Sequence, residues 1–516
     1  MPASGPRFRR TDLADVHVDA PMVRISWRVD DDGRPCLAAR AGWEAKPLDR
    51  AAADERVRPL RSPNGMTAPG SPLHRSTENE VVPEHDEPRT ANFENGGMTE
   101  IPLTGPSAPA DLPRTKPATS PVAEAAKSAG VATEGRLALL DVLRGAAILG
   151  TLMTNVWIFT GPGSEWGVLQ SGGTGGTGFG SLPAAAESVF RLLADGKFLS
   201  MLTILFGVGL AIQYNSAAKR GQPWPGRYRW RALFLFVEGT LHFVLVFAWD
   251  VLMGYAVTAL VVAHVLTRSE RAQQRVMWWA AGLHLALMGL LTVALAAAPD
   301  DGKGKGTADA VSPQVVDLYA EGSYLEQISF RLENMIALRV EPILSFGLLV
   351  FLFLLGVRLL RAGAFGADGT GRRIRSRMLA WGLGLGIPLT VLTAIGGETY
   401  FLVSRYCAAP LVAIGYIGLI GAALDRARRP GPLTIGLTNV GRTALSGYVL
   451  QNVLCVAASY GIGLGLAARL GGSAHPWWVM GLWSAVCLVL MAGSSLWLRR
   501  FSTGPLESVQ KWVLRR

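Results

Sequence analysis

Apolar and polar positions change their arrangement along the chain at about residue 136. Before it, short apolar stretches are broken by proline, glycine and charge, as in PNGMTAPGSP and IPLTGPSAPADLPRTKPATSP. Such segments bury too little apolar surface to offset chain entropy, so residues 1–135 are expected to form a largely disordered extension. Residues 16–40 are the exception and alternate well enough for a small hairpin turning at Asp32-Gly33. No apolar run of the signal-peptide kind stands near the start, and Met98 offers an alternative start closer to the apolar part.

From residue 137 onward, apolar runs follow one another at 137–159, 198–214, 232–248, 251–266, 276–298, 343–360, 378–395, 407–424, 444–467 and 477–498. Several are shorter than the ~20 residues of a perpendicular span, and flanking Arg, Tyr and Trp extend them into the interface. Backbone polar groups in lipid must be paired within the segment, so these runs predict helices. The expected fold is all-α: a polytopic membrane helix bundle of about ten spans behind the N-terminal extension. Its parts are a first half at 136–298, an extracytoplasmic loop at 299–341, a second half at 342–510 and a basic tail at 511–516. Within the loop, the amphipathic stretch 324–340 is expected to lie on the outer surface.

Composition agrees with a membrane protein and opposes a soluble enzyme. The chain is 49% hydrophobic with a formal net charge of +11. Residues 1–135 hold 17 basic and 20 acidic side chains, against 33 and 19 in the rest. The bases cluster in every second connection, as with Lys219, Arg220, Arg227, Arg229 and Arg231, then Arg268, Arg271 and Arg275. The alternate connections are neutral or acidic, and residues 299–341 hold eight acids against four bases. That alternation predicts a multi-pass protein of the cell membrane with both termini cytoplasmic, and it accounts for the positive charge without nucleic acid. Four cysteines at 36, 407, 455 and 487 form no metal-type spacing, so no metal site is expected.

Ionisable groups at membrane depth are costly and are candidates for function. In LDVLRGAAILGTLMTNVW, Asp141 and Arg144 are three apart, placing them on one helical face as an easy ion pair. Asn155 follows Arg144 by eleven residues, nearly a whole number of turns, so both face one seam. His242 falls near mid-bilayer, with Glu238 one turn earlier and Asp250 at the outer tip of that span. A neutral imidazole beside a carboxylate takes a proton from a hydroxyl or amine; its structural alternative is a hydrogen bond to a neighbouring helix. Arg442, Ser446 and Gln451 make the start of the ninth run more polar than a lipid-facing helix tolerates, and with Lys197 they are expected to line a cavity. Close packing between helices is the alternative for this group.

Several blocks carry a resemblance. RLALLDVLRGAAILGTLMTN, DGKFLSMLTILFGVGLA and GTLHFVLVFAWDVLMGYA resemble successive blocks of the YeiB-like family of bacterial membrane proteins. LLGVRLLRAGAF, GRTALSGYVLQN and FSTGPLES look like that family's carboxy-terminal domain of unknown function. The resemblance covers about residues 136–510. It departs at the tail, where Ser508, Val509 and Gln510 separate GPLE from Trp512. The family is grouped with integral-membrane acyltransferases, in one branch of which a first-span arginine precedes a catalytic histidine by eleven residues. Arg144 matches that arginine, but Asn155 stands at the second position, and an amide is no base. The resemblance therefore implies His242 as base, oriented by Asp250 or Glu238. It implies Arg144, Arg229 and Arg231 as holders of donor phosphates.

Two functions stay open on these residues. The first is acyl transfer from a cytoplasmic thioester to a membrane or extracytoplasmic acceptor, a glycan or a lipid, with acyl-CoA as co-substrate and no bound cofactor. The second is transport or export of a small solute along the same polar seam. Neither the periodicity nor the composition separates them.

Overall fold

This computed structural model describes three strands within residues 18–40 and the chain from Pro121 to Arg515, apart from 171–179, 298–310, 428 and 472–475. The expected disorder of residues 1–135 and the alternative start at Met98 concern residues that are largely outside the described ones. Strands β1 (Val18–Ala20), β2 (Val23–Val29) and β3 (Pro35–Arg40) pair antiparallel in that order, with Val29 opposite Pro35.

Helices make up the rest of the described chain. The first half holds α1 (Pro121–Thr160), α2 (Ser164–Gln170), α3 (Leu182–Ala194), α4 (Lys197–Lys219), α5 (Tyr228–Leu245), α6 (Leu252–Val265) and α7 (Glu270–Ala297). Four short helices follow: α8 (Pro313–Ala320), α9 (Tyr324–Glu333), α10 (Met335–Leu338) and α11 (Val340–Leu344). The second half holds α12 (Phe346–Arg361), α13 (Gly369–Ile395), α14 (Phe401–Val403), α15 (Ala409–Arg426), α16 (Pro432–Arg442) and α17 (Ala444–Ser459). It ends with α18 (Leu466–Leu470), α19 (Trp477–Arg500) and α20 (Pro505–Arg515).

Each of the ten expected runs is helical, but their lengths differ from expectation. Among the described residues, six stretches are long and apolar enough to cross a bilayer: Ala138–Thr160, Leu182–Lys219, Glu270–Ala297, Gly369–Ile395, Glu398–Arg426 and Trp477–Arg500. The 14-residue α6 and the 16-residue α12 and α17 are shorter. At 1.5 Å per residue, α6 spans roughly 21 Å against a hydrocarbon core of about 30 Å. The run 232–248 leaves the helix after Leu245, and 444–467 leaves it after Ser459. Ten full spans are therefore not what the helix lengths give.

Lipid-type surface is plain on α7, α13 and α19, which expose Trp279, Leu290, Trp381, Ile395 and Leu488. Inside, helices approach closely where glycine removes the Cβ. A Cβ at Gly207 of α4 would meet the Phe353 carbonyl of α12, and one at Gly356 would meet the Ile204 carbonyl. This is small-residue packing, the contact that drives helix association where lipid is as apolar as the helix. The main core lies between α4, α6 and α12, around Leu205, Val208, Tyr255 and Phe353.

The two ends of the bundle differ. Arg144, Arg231, Arg442 and Lys511 mark a basic end. At the other end, α2 and α9 cap the bundle, and the stretch 324–340 does more than lie on a surface. Gln327 and Arg331 are buried there. Arg331 donates to both oxygens of Glu165, at 2.8 and 3.3 Å, and to the Val244 carbonyl at 3.1 Å. Tyr319 also donates to Glu165, and Ser164 bonds the Tyr460 hydroxyl. Amphipathic periodicity shows the polar stripe of α9 but not that an acid 166 residues away fills it.

Candidate functional site

The junction between α5 and α6 places the central groups. The His242 carbonyl accepts from both Val246 and Phe247 N–H groups at 2.8 Å, which ends α5. Asp250 then opens α6: its Oδ2 accepts from the backbone N–H groups of Leu252 (2.9 Å) and Met253 (3.4 Å), donors that a helix start leaves free. Glu165 holds the junction from the cap, accepting from the Ala248 N–H at 3.1 Å, while its carbonyl accepts from the Trp249 indole.

Chain reversal brings Asp250 back to α5. Its Oδ1 lies 3.6 Å from His242 Nδ1 and accepts from the Tyr448 hydroxyl at 3.4 Å. On the far side of the ring, Asn452 Nδ2 is 3.1 Å from His242 Nε2. With the amide donating, Nε2 is the accepting nitrogen and the ring proton sits on Nδ1, toward Asp250. Tyr448 packs its edge on the imidazole with centroids 5.3 Å apart. Arg339 donates to the Asp250 carbonyl at 2.6 Å and lies over the Phe243 ring. His242 and Asp250 are both almost wholly buried. Of the two carboxylates expected to orient the imidazole, Asp250 touches it. Glu238 does not; both its oxygens are buried without a hydrogen-bond partner.

A cavity adjoins this pair, walled by Thr203, Asp250, Tyr255, Arg339, Glu341 and Arg405 among others. His242 stands behind Asp250 and is not part of the wall. Glu341 Oε1 accepts from Arg405 Nη2 (3.1 Å) and the Tyr406 hydroxyl (2.7 Å). Arg405 and Tyr406 lie in a π-helical turn, Ser404–Ala408, a local form that recurs at functional sites. Lys197 is buried and donates to the Asp195 carbonyl at 3.1 Å; its neighbour Gly196, not Lys197 itself, lines the wall.

The remaining expected residues collect at the basic end or between the two ends. Arg144 donates to Asp141 at 3.1 Å, the pair that three-residue spacing predicts, and reaches the Gly441 carbonyl at 3.3 Å. Arg231 and Arg442 line a groove with Glu507, Gln510 and Lys511. Arg229 is exposed and bonds only the nearby Gly226 carbonyl. Ser446 is not free to line a cavity: its hydroxyl donates to Glu507 Oε2 at 2.6 Å. Glu507 Oε1 accepts from the N–H groups of Leu445 (2.7 Å) and Ser446 (3.3 Å), so the tail acid caps α17. Asn155 is buried on α1 with no hydrogen bond to the His242 pair, and Gln451 is buried with neither amide atom partnered.

Tyr448, Arg339, Glu341, Arg405 and Glu507 are site residues that sequence reasoning passes over. Only Tyr448 had a usable signal, its four-residue spacing from Asn452. Arg339 lies at the end of the amphipathic stretch and Glu341 follows it, where two short helical turns, Met335–Leu338 and Val340–Leu344, break the period.

Residues 359–516 match the family described as Protein of unknown function (DUF418). Over 398 residues, 74% of this chain and 94% of the relative, the sequence is 26% identical to the uncharacterized protein YxaH of Bacillus subtilis (strain 168). Over 400 residues, 73% of this chain and 94% of the relative, it is 27% identical to the uncharacterized protein YeiB of Escherichia coli (strain K12). These matches, running through both halves of the helical region, support the resemblance to the YeiB-like family of membrane proteins, with the DUF418 match confined to residues 359–516.

Proposed function

We propose that this chain is an integral-membrane acyltransferase of the cell membrane, with the basic end and both termini in the cytoplasm. The observation that carries the reading is Asp250, which forms a cavity wall on one side and faces His242 on the other. An acceptor hydroxyl or amine in the cavity, on a glycan or lipid, meets that carboxylate first. Its proton passes to the Asp250–His242 pair, and its oxygen or nitrogen attacks the thioester carbonyl. The new acyl bond forms as the carbon–sulfur bond breaks, and the thiolate leaves with the proton. The order of the pair is thus the reverse of a histidine facing substrate with a carboxylate behind it.

The groove at the basic end suits the phosphates of an acyl-CoA donor. Arg231, Arg442 and Lys511 line it against one acid, Glu507. Arg231 and His242 are eleven residues apart on α5, about 16 Å of helix, a distance the pantetheine arm of coenzyme A covers. The test is transfer from labelled acetyl-CoA by the full chain in liposomes. Asp250→Asn and His242→Gln are each expected to lower transfer by ~10²–10⁴-fold, the usual worth of general acid–base catalysis. Full activity in both variants removes this reading.

Broken helices favour a second reading, solute transport. The cavity is walled by the α5–α6 junction, by the interrupted run α10–α11–α12 and by the π turn. Discontinuous helices at a polar site are a recurring feature of secondary transporters. Solute uptake into proteoliposomes with acyl-CoA left intact decides for transport.

A further inference from the structure

Between the groove and the cavity lie buried polar atoms of which, His242 apart, neither reading makes use. Glu238 Oε1 and Oε2, Gln451 Oε1 and Nε2, Asn452 Oδ1 and His242 Nδ1 are all buried with no hydrogen-bond partner among the described residues. They belong to α5 and α17, which His242 joins by its hydrogen bond with Asn452 and its ring contact with Tyr448. Both helices start at the basic end. Glu238 lies seven residues beyond Arg231, about 10 Å along the axis, and Asn452 six residues beyond Ser446, about 9 Å. These atoms therefore occupy the middle of the bundle.

Glu238 has an acid on either side of it. It is within electrostatic reach of Asp250, which walls the cavity, and of Glu507, which lines the groove. Tyr448 of α17 also senses both Glu238 and Asp250. On the cavity side, the charges of Arg339 and Arg331 are within electrostatic reach of His242; at the groove, that of Arg144 is within reach of Arg231. A carboxylate and an amide left unpartnered in an apolar bundle are costly, and a helix packed only for stability has no use for them. Carboxylate–imidazole chains inside membranes are a recurring means of moving protons.

We propose that Glu238 relays protons through the bundle, from the groove lined by Glu507 to the His242–Asp250 pair and so to the cavity. Each proton entering at the groove is matched by one leaving at the cavity. Gln451 and Asn452 supply the uncharged polar steps beside the carboxylate, and no electron transfer or bond to carbon is involved. The relay requires only the groove, the buried polar atoms and the cavity, so it stands whichever function the cavity serves.

The experiment uses the full chain in liposomes that enclose a pH-sensitive dye, with a potassium gradient and valinomycin to drive proton entry. Wild-type vesicles are expected to acidify well faster than protein-free ones. Glu238→Gln is expected to return the rate to the protein-free level, and Glu238→Asp to restore part of it. Gln451→Leu, which removes an unpartnered amide and keeps the volume, is expected to slow acidification as well. Wild-type vesicles that acidify no faster than protein-free ones overturn the relay, as does a Glu238→Gln rate equal to wild type. Should Glu238→Gln fail to fold, Gln451→Leu decides, and an unchanged rate there overturns the proposal.

Discussion

The Asp250 carboxylate rests directly against the backbone of Gly239. A Cβ at Gly239 would lie 2.8 Å from Asp250 Oδ2 and 2.7 Å from the Met253 nitrogen. Only glycine lets the reversed chain bring its acid against α5, between Glu238 and His242. Gly239→Ala is expected to push Asp250 away from the imidazole and to cost about 1–3 kcal/mol through overpacking. Thermal unfolding in detergent reads the stability, and the transfer assay reads the site. An alanine variant with wild-type melting and turnover would show that the contact does not hold Asp250 in place.

The Glu165–Arg331 pair has a different weight, because both members are buried and hydrogen-bonded. Removing one leaves the other charged and unpaired, which costs roughly 3–5 kcal/mol. Arg331→Met or Glu165→Met alone should therefore lower the melting temperature sharply. The double variant should recover most of the loss, since a matched apolar pair carries no stranded charge. Equal melting of the single and double variants would mean that the pair does not act as a unit. Because the Glu165 carboxylate also accepts from the Ala248 N–H, Glu165→Met should disturb Asp250 as well.

Much of this architecture is legible along the chain, and the rest is hidden for identifiable reasons. Apolar runs predict the helices, and three-residue spacing predicts Asp141–Arg144, because both signals are local and periodic. Asp250 meets His242 through a chain reversal that follows no helical period. Arg375 illustrates the same limit. Charge makes it one more loop base, yet it is buried and donates to both oxygens of Asp425, at 2.8 and 2.7 Å, and to the carbonyls of Ala364 and Gly366. Ser446 looks like a cavity residue because its partner, Glu507, is 61 residues away. Long-range partners decide whether a polar residue in a helix is structural, and composition does not contain them.

Sidedness follows from the basic end. Gln222 lies in the connection between α4 and α5 at that end, and Glu321 follows α8 at the other; both are exposed. In a chain whose native cysteines are replaced, Glu321→Cys should react with an impermeant thiol reagent in whole cells. Gln222→Cys should react only after the cells are opened. The reverse pattern would invert the orientation and place the groove outside, away from any cytoplasmic donor.

The last prediction concerns the tail. Glu507 accepts three bonds at the start of α17, from Leu445, Ser446 and the Ser446 hydroxyl, and the Leu506 N–H returns one to Ser446 Oγ at 3.0 Å. This ties α20 to the first turn of the helix that carries Tyr448, Gln451 and Asn452. Losing such a cap costs about 0.5–2 kcal/mol, and a carboxylate at a helix start adds the dipole contribution. Glu507→Ala is thus expected to fray α17 from its basic end, while Glu507→Gln keeps an acceptor and loses less. Hydrogen exchange at Leu445 and Ser446 should rise in Glu507→Ala, with protection at Gln451 and Asn452 falling later. Unchanged exchange at residues 445 and 446 would show that α17 holds its start without the tail.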